Sequence, residues 1–511
     1  MAELLPDQLR IMAANLPDDV GYLNVATDAA ADRASLTFGA WERRSNQLAR
    51  WLIANGVAKG DRVAIHLPPA EGDRFLVAYA AVHKAGAVAV PTSTRLVARE
   101  LAFVLGHAGA VAAVTGESTT AALLAARPDL PDLRLLVTSA PTADGDDLIA
   151  WDEATDADDT EIQVPLTGAD LADIMYTSGT TGRPKGVVVR HGNIAMVPNG
   201  MPRWTGKGWL HSSPMFTFAG IASAYNPMKL GMRLLYLPRF DVDRWYDVVD
   251  EMRPAATFLV PAMVELLISS DRFEGADLSS ITMCPVGSAP IAPATLATLQ
   301  ARMPNAMVSN SWGMTEAGPS FCFLPPEEQA RRVGSVGKPM KPTEFRIIDP
   351  TTGDELPARE VGELLVRNPG REREYFGDAD ATAATWKDGW LHSGDLAYLD
   401  EDGYLYLVGR QKDVIIRGGN NVHAGDVEAV LYEHPAVQEA AVAGVPHDVL
   451  GEDVGAWIVL APGATADADE LRAFCAERLS AYKVPRRWTF ATELPRNATG
   501  KVLKRELRAE A

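Results

Sequence analysis

Cysteine is scarce. The chain has three in 511 residues, Cys284, Cys322 and Cys475, with no metal-type spacing among them. That excludes a disulfide framework and a cysteine-ligated zinc site. It predicts a reducing, cytoplasmic compartment, with all three thiols in packing or loop roles. Positive charge is also short. Against 67 acidic side chains stand 48 lysines and arginines, a formal net charge of −19. Wholesale binding to nucleic acid or anionic membrane is thereby disfavoured, although a local basic patch for a nucleotide is not. No run approaches the roughly 20 apolar residues of a membrane span. The first residues, Met1 to Pro6, lack a basic region leading into an apolar core, so no signal peptide is expected. There is no internal repeat and no low-complexity tract beyond a general richness in alanine.

What is present is ordinary for a globular chain: 47% hydrophobic and 23% charged residues. The length predicts about three structural units. Residues 37 to 55 read as a helix capped by Thr37, with Trp41, Leu48, Trp51 and Leu52 at helical spacing. Strand and helix then alternate: strand 61 to 67, helix 73 to 84, strand 86 to 91, helix 99 to 105, strand 111 to 114, helix 119 to 126 and strand 133 to 138. Continuous apolar strands alternating with helices predict parallel sheets covered on both faces. His66 and His83 fall in this scaffold and read as core or surface residues. Residues 142 to 161 carry seven aspartates and read as a solvated surface connection, with an acidic metal trap as the alternative. Beyond it come strands near 234 to 237 and 257 to 260 and a helix from 242 to 252. From about Gly334 short strands such as 344 to 348 and 362 to 366 predict a small β-rich subdomain. After Arg410 a compact α+β unit is expected, with helices at 424 to 434 and 467 to 479 and a strand at 454 to 460. The expected division is therefore 1–410 and 411–511.

One stretch organises the rest: Tyr176-Thr-Ser-Gly-Thr-Thr-Gly-Arg-Pro-Lys-Gly186. Thr177, Ser178, Thr180 and Thr181 put four hydroxyls into five positions. Gly179, Gly182 and Gly186 allow close backbone approach to a ligand. Lys185 adds a mobile cation. Hydroxyls, bare N–H groups and a cation together suit a polyphosphate. Neither G-x-x-x-x-G-K-[ST] nor G-x-G-x-x-G can be laid over it. A solvated Gly/Thr hairpin has the same composition.

This stretch resembles the phosphate loop of the adenylate-forming superfamily, which holds AMP-forming acyl-CoA synthetases, peptide-synthetase adenylation domains and beetle luciferases. Four further runs resemble the family's other motifs, in its order and near its spacing: Ser311-Trp-Gly-Met-Thr-Glu316, Trp390-Leu-His-Ser-Gly-Asp395, Gly409-Arg-Gln-Lys-Asp413 and Pro495-Arg-Asn-Ala-Thr-Gly-Lys501. The resemblance spans essentially the whole chain. It implies an N-terminal domain of two parallel-sheet α/β subdomains plus a β-rich one, and a small mobile C-terminal domain. The implied activity is ligation of a carboxylic acid to coenzyme A through an acyl-adenylate, with ATP and Mg²⁺. Transfer to a carrier protein, or nucleotide sensing without turnover, are the alternatives. A homodimer is also open.

By resemblance, Lys501 touches both carboxylate and phosphate during adenylation; by position alone it is a tail lysine. Glu316 holds magnesium and Thr315 the α-phosphate, within a segment Trp312-Gly313-Met314 that borders the nucleotide. Trp312 stands where the family most often has Tyr, and its indole still offers a face for adenine. Gly287, Ser288, Ala289 and Pro290 resemble the loop beside adenine. Asp395 reads the ribose diol, with Arg410 nearby. Lys412 marks the interdomain hinge. Gly418 and Gly419 line the path of the coenzyme A arm. The sequence departs from the usual pattern with Ala424 and Asp426, where many relatives have Pro and Glu; Asn421 and Glu428 match.

Residues 196 to 232 are rich in Met and aromatics, which suit a deformable apolar pocket or an ordinary core. Within them, Phe216, Thr217, Phe218 and Gly220 occupy the acyl-pocket positions. Peptide-synthetase domains carry Asp after this Phe to hold an α-ammonium. Thr217 therefore disfavours an amino acid, and it also departs from the His of many fatty- and aryl-acid relatives. A medium-chain or bulky acid, alicyclic or steroid-derived, is expected.

Overall fold

The computed structural model describes residues 4–27, 33–142, 147–177, 183–194, 197–289, 291–318, 322–329, 331–496 and 502–509. The chain begins with a helix, Leu5–Asn15, which the sequence reading did not anticipate. Thr37 caps the helix Phe38–Ala54, its hydroxyl accepting from the Ala40 N–H at 3.1 Å. Trp41, Leu48 and Leu52 form the buried stripe of that helix. Strands Arg62–His66, Val88–Pro91 and Ala110–Thr115 run parallel and are buried along almost their whole length. That burial on both faces is why they read as unbroken apolar runs.

They belong to a seven-stranded sheet. Its order is Ile149–Ala150, Leu135–Thr138, Ala110–Thr115, Arg62–His66, Val88–Pro91, Leu171–Thr177 and Lys185–Arg190. Leu171–Thr177 is parallel to Val88–Pro91, but its other neighbour, Lys185–Arg190, is antiparallel, with Thr177 opposite Lys185. The Gly/Thr-rich stretch is thus the connection of an edge hairpin. A second seven-stranded sheet runs Met307–Ser311, Met283–Gly287, Ala256–Thr257, Lys207–His211, Met232–Tyr236, Val20–Asn24 and Ser35–Thr37. It too ends in an antiparallel pair, formed by its last two strands. The parallel α/β expectation holds, with one antiparallel edge on each sheet.

Glu344–Ile348, Gly362–Arg367, Trp386–Lys387, Trp390–Leu399 and Leu405–Arg410 make an antiparallel sheet. Its register sets Asp395 opposite Arg410. The last sheet holds Val414–Arg417, Asn420–His423, Val437–His447, Gly451–Leu460 and Arg487–Phe490, with helices Ala424–Tyr432 and Ala468–Ala476 on it. Among the described residues no helix is long and apolar enough to cross a membrane.

Some of the polar groups inside this core meet one another. His83 Nε2 lies 3.2 Å from Asp173, which also accepts from the Tyr79 hydroxyl at 3.1 Å. His66 Nδ1 meets Thr92 Oγ1 at 2.9 Å. Both histidines are core residues, as read. In the acidic connection Asp158 pairs with Arg50 and Asp159 with Arg43, while Asp144 and Asp146 lie outside the described residues. No group of three His, Cys, Asp or Glu able to hold a metal occurs among the described residues.

Lys84 is a buried cation. It is 1% exposed, and its ammonium meets Glu42 Oε2 at 2.7 Å, Ser45 Oγ at 2.7 Å and Asn46 Oδ1 at 2.8 Å. Burial pulls its pKa down to about 8 from 10.5, against the opposing pull of Glu42. Between those values the unfolded chain keeps a proton that the folded chain has released, so this group makes stability rise with pH. Relative to Lys84→Met, the native protein is expected to gain about 2 kcal/mol between pH 7 and pH 9.5. Urea unfolding of both proteins at the two pH values checks this; a pH-independent gap would contradict it.

Candidate active site

In open parallel sheets, ligand sites lie outside the carboxyl ends of the strands. Leu171–Thr177 delivers Thr177 there. Its hydroxyl donates to Glu316 Oε1 at 3.1 Å, across 139 positions of sequence. Glu316 and Thr315 sit in a single 3₁₀ turn, Thr315–Ala317. The same Glu316 oxygen lies 3.4 Å from the Tyr375 hydroxyl. Burial raises that phenol's pKa above its usual value, with Glu316 adding to the effect, so it stays a proton donor. Lys185, opposite Thr177, holds its ammonium 4.8 Å from the centre of the Tyr375 ring. Thr177, Lys185 and Glu316 are therefore grouped around Tyr375, a residue the sequence reading did not single out. Ser178, Gly179, Thr180, Thr181, Gly182, Pro290 and Lys501 lie outside the described residues.

Arg373 is the second residue that sequence reasoning missed. Arg373 lies within the charged run Arg371-Glu-Arg-Glu-Tyr375, yet it is only 5% exposed. Its guanidinium donates to the Thr315 carbonyl and, at 3.2 Å, to the Asn193 carbonyl. It also lies 4.9 Å from the centre of the Phe218 ring. Desolvation pulls its pKa down to about 10, while Asp173 and Glu316 hold it charged. One cation thus ties the turn bearing Thr315 and Glu316 to the start of the helix Phe218–Lys229. Gly318 beside it sits at φ 71°, a left-handed conformation that favours glycine.

A second cluster forms where the antiparallel sheet meets the end of the second large sheet. Asp395 accepts from Trp312 Nε1 at 2.8 Å and from Arg410 Nε at 2.7 Å. Its carboxylate is nearly buried and its charge compensated. Trp312 accordingly enters the site through its N–H, with its ring edge-on to Phe345 at 5.9 Å. Gly313 is exposed, and Met314 packs with Trp312 against the β-rich core. Ser311, next to Trp312, pairs with Gly287 across two parallel strands. A Cβ at Gly287 would come within 2.7 Å of the Ser311 carbonyl oxygen, so the two strand ends approach only because that position is glycine. Ser288 follows at φ 74°, with Ala289 next to it.

Thr217 has a local duty. Its hydroxyl accepts from the Gly220 N–H at 3.0 Å and donates to the Pro214 carbonyl at 2.8 Å, capping the helix Phe218–Lys229. Gly220 is forced, since a Cβ would lie 2.0 Å from that same carbonyl. Phe216 lines a narrow apolar cleft with Leu67, Gly72, Phe75 and Met215. Lys412 is exposed in the turn Gln411–Asp413, directly after Arg410. Gly418 and Gly419, at φ 55° and 84°, make the two-residue tip of a hairpin in the C-terminal sheet. Neither joins the cluster around Glu316 in the contacts of the described residues.

The donors around Glu316 can be tested for what they would hold. One carboxylate with a hydroxyl beside it is too few for an all-protein metal cage. It fits Mg²⁺, which keeps waters and takes its other ligands from substrate phosphates.

Fold and site together define a two-sheet α/β chain with one cluster at Thr177, Glu316 and Tyr375 and another at Trp312, Asp395 and Arg410. The chain belongs to the AMP-binding enzyme family: the family model matches residues 12–376, and that of the AMP-binding enzyme C-terminal domain matches residues 426–501. It is 37% identical over 493 residues to a feruloyl-CoA synthase of Amycolatopsis sp, covering 94% of this chain and 95% of the relative. It is 32% identical to a long-chain-fatty-acid–CoA ligase of Bacillus subtilis (strain 168), covering 91% of this chain and 88% of that one. Among solved structures it is similar to o-succinylbenzoate CoA synthetase from Bacillus subtilis, at 29% identity over 98% of both chains. The TM-score is 0.83 for that enzyme with its acyl-adenylate and 0.81 with ATP and magnesium ion.

Proposed function

We propose that this chain is an ATP-dependent acid–CoA ligase. A carboxylate oxygen of the acid attacks the α-phosphorus of ATP, forming the acyl-adenylate and expelling pyrophosphate. The thiol of coenzyme A then attacks the acyl carbonyl, loses its proton and displaces AMP. The observation that carries this reading is the convergence on Glu316 of Thr177 and Tyr375, with Lys185 beside them.

In the first step two anions must meet, so the chain has to supply positive charge and hydrogen-bond donors where charge develops. Lys501 and Lys185 supply the cations. Thr177 and Thr315, with the hydroxyls and N–H groups of 178 to 182, hold phosphate oxygens. Glu316 holds Mg²⁺, which when bound neutralises phosphate charge. Asp395, already oriented by Trp312 and Arg410, has lone pairs left for the ribose diol. Gly287, Ser288, Ala289 and Pro290 border adenine along with Gly313 and Met314. The chain divides at Arg410, and units 1–410 and 411–511 turn about Lys412 to exchange Lys501 for Gly418 and Gly419.

The acid carries an apolar acyl group, bulky or of medium length, held near Phe216 and Phe218. The Thr217 hydroxyl is already committed to its helix, which leaves no charged partner for a substrate ammonium at that position.

Pyrophosphate release from Mg·ATP with a panel of aryl, alicyclic and linear acids tests the reading. Offering coenzyme A and a phosphopantetheinyl carrier protein in parallel then identifies the thiol. At least one acid should release pyrophosphate and yield a CoA thioester. Failure with every acid, or thioester on the carrier alone, would overturn it.

A further inference from the structure

The stems of the segment that carries Lys501 are held by charge. Arg496 and Val502 form an antiparallel bridge, and the Leu503 N–H donates to the Pro495 carbonyl at 2.8 Å. Val502 is the immediate sequence neighbour of Lys501. Leu494 and Leu507, one on each side of the bridge, are buried at 4% and 2% exposure, with Ala441, Ala443 and Trp457. These contacts dock the stems on the C-terminal sheet but leave their direction along it to weaker forces, because apolar packing is not directional.

Two ion pairs supply that direction. Lys504, the first residue of the helix Lys504–Ala509, places its ammonium 2.7 Å from Glu428 Oε1. Glu428 lies on the helix Ala424–Tyr432, and the same oxygen accepts from the Val442 N–H at 2.7 Å. On the other stem Arg496 Nη2 lies 2.8 Å from Glu439 Oε2. Each stem is thus tied to a different element of the C-terminal unit. The Glu428 pair is the more enclosed, with side chains 15% and 20% exposed. Enclosed charges are costly to leave unpaired, so such a pair constrains geometry far more than an exposed one.

We propose that Glu428 is a positioning residue for adenylation: through Lys504 it fixes the stem next to Lys501 and so sets where that lysine can reach. The inference rests on the role given to Lys501 above. The need for precision is physical, since a displacement of about 1 Å in an oriented catalytic group can cost about a hundredfold in rate. The thioester step, which Lys501 does not serve, has no such need of this stem.

The test separates the half-reactions in the full-length protein. Glu428→Gln keeps the side chain's size and its bond to Val442 but loses the charge pairing. It should lower kcat for pyrophosphate release by about tenfold or more. Acyl transfer from supplied acyl-AMP to coenzyme A should stay within about twofold of the unmodified protein. Lys504→Met should reproduce this split from the other partner. In a Lys501→Ala background, Glu428→Gln should cause no further loss, because the group it positions is gone. Normal pyrophosphate release in both E428Q and K504M, equal loss of both half-reactions, or an undiminished further loss in the K501A background would overturn the inference. Full pyrophosphate release in K501A itself would instead overturn the lysine's role, a separate result that the same series reads.

Discussion

Substituting alanine for Lys501 is expected to lower acyl-AMP formation by about a hundredfold to a thousandfold, the usual loss when one preorganised charge stabiliser is removed. Thioester formation from supplied acyl-AMP should survive with little change. The asymmetry follows from the chemistry of the two steps. In the first, a carboxylate approaches an already anionic phosphate, and a cation between them lowers the repulsion as the new bond forms. In the second, the nucleophile is a thiol and the leaving group is AMP, and the lysine's anionic partners have been joined into one ester. Pyrophosphate release and acyl transfer from synthetic acyl-AMP, measured on the same preparation, check the split. Equal loss in both would assign Lys501 to folding or to general binding; no loss in either would remove it from the reaction.

Glu316→Gln carries the second largest expected effect. The carboxylate is the meeting point of Thr177 and Tyr375, and glutamine keeps its shape while removing its charge. Both neighbours can still be accepted by the amide oxygen, so the fold should be little disturbed. What is lost is the anion that attracts a divalent cation. Pyrophosphate release is expected to fall by about a hundredfold at ordinary Mg²⁺. Part of this should return as Mg²⁺ is raised, with half-saturation shifted upward by about tenfold or more. A Mg²⁺ titration of initial rates separates this from simple damage. An unchanged half-saturation concentration would remove Glu316 from the metal and leave it as a structural acceptor for Thr177.

The remaining polar contacts show why the site could be located in the chain before its shape was known, and why the shape still held surprises. Thr177, Glu316, Asp395 and Arg410 sit in runs whose residue types suit phosphate, metal and diol chemistry, and the resemblance of those runs to one family's motifs is what singled them out. The helix 242 to 252 was legible to the residue, since it matches Val242–Met252. The strands 257 to 260 and 133 to 138 were placed but came out shorter, as Ala256–Thr257 and Leu135–Thr138. Strand ends depend on which neighbour is available to pair, and the chain alone does not state that. The helix Leu5–Asn15 was passed over because leucine caps it in place of Ser, Thr, Asp or Asn, so no side chain signals its start.

Tyr375 and Arg373 were invisible for a different reason. Nothing in Arg371-Glu-Arg-Glu-Tyr375 separates an arginine bound for solvent from one bound for the interior. The difference lies in the facing surfaces: the Thr315 and Asn193 carbonyls and the Phe218 ring come from three distant parts of the chain. Trp312 is a related case. Its ring suggested a stacking platform, while its N–H turned out to be the donor that, with Arg410, orients Asp395. Likewise Thr217, considered for its place beside the substrate, spends its hydroxyl on the helix that follows.

Residue types and their linear order were sufficient for the α/β class, and the resemblance of five short runs to one family pointed to the candidate phosphate stretch and the main polar residues. The class rests on local periodicity and turn preference, and the runs on the fixed chemistry of their side chains, all properties of short segments. The direction of the edge strands, the enclosure of Arg373 and the partners of Glu316, Asp395 and Glu428 were settled only when distant segments packed. Each of those is a relation between surfaces far apart along the backbone. A carboxylate's charge is written in its own residue, but what neutralises it is decided by whichever groups the folded core brings within about 3 Å.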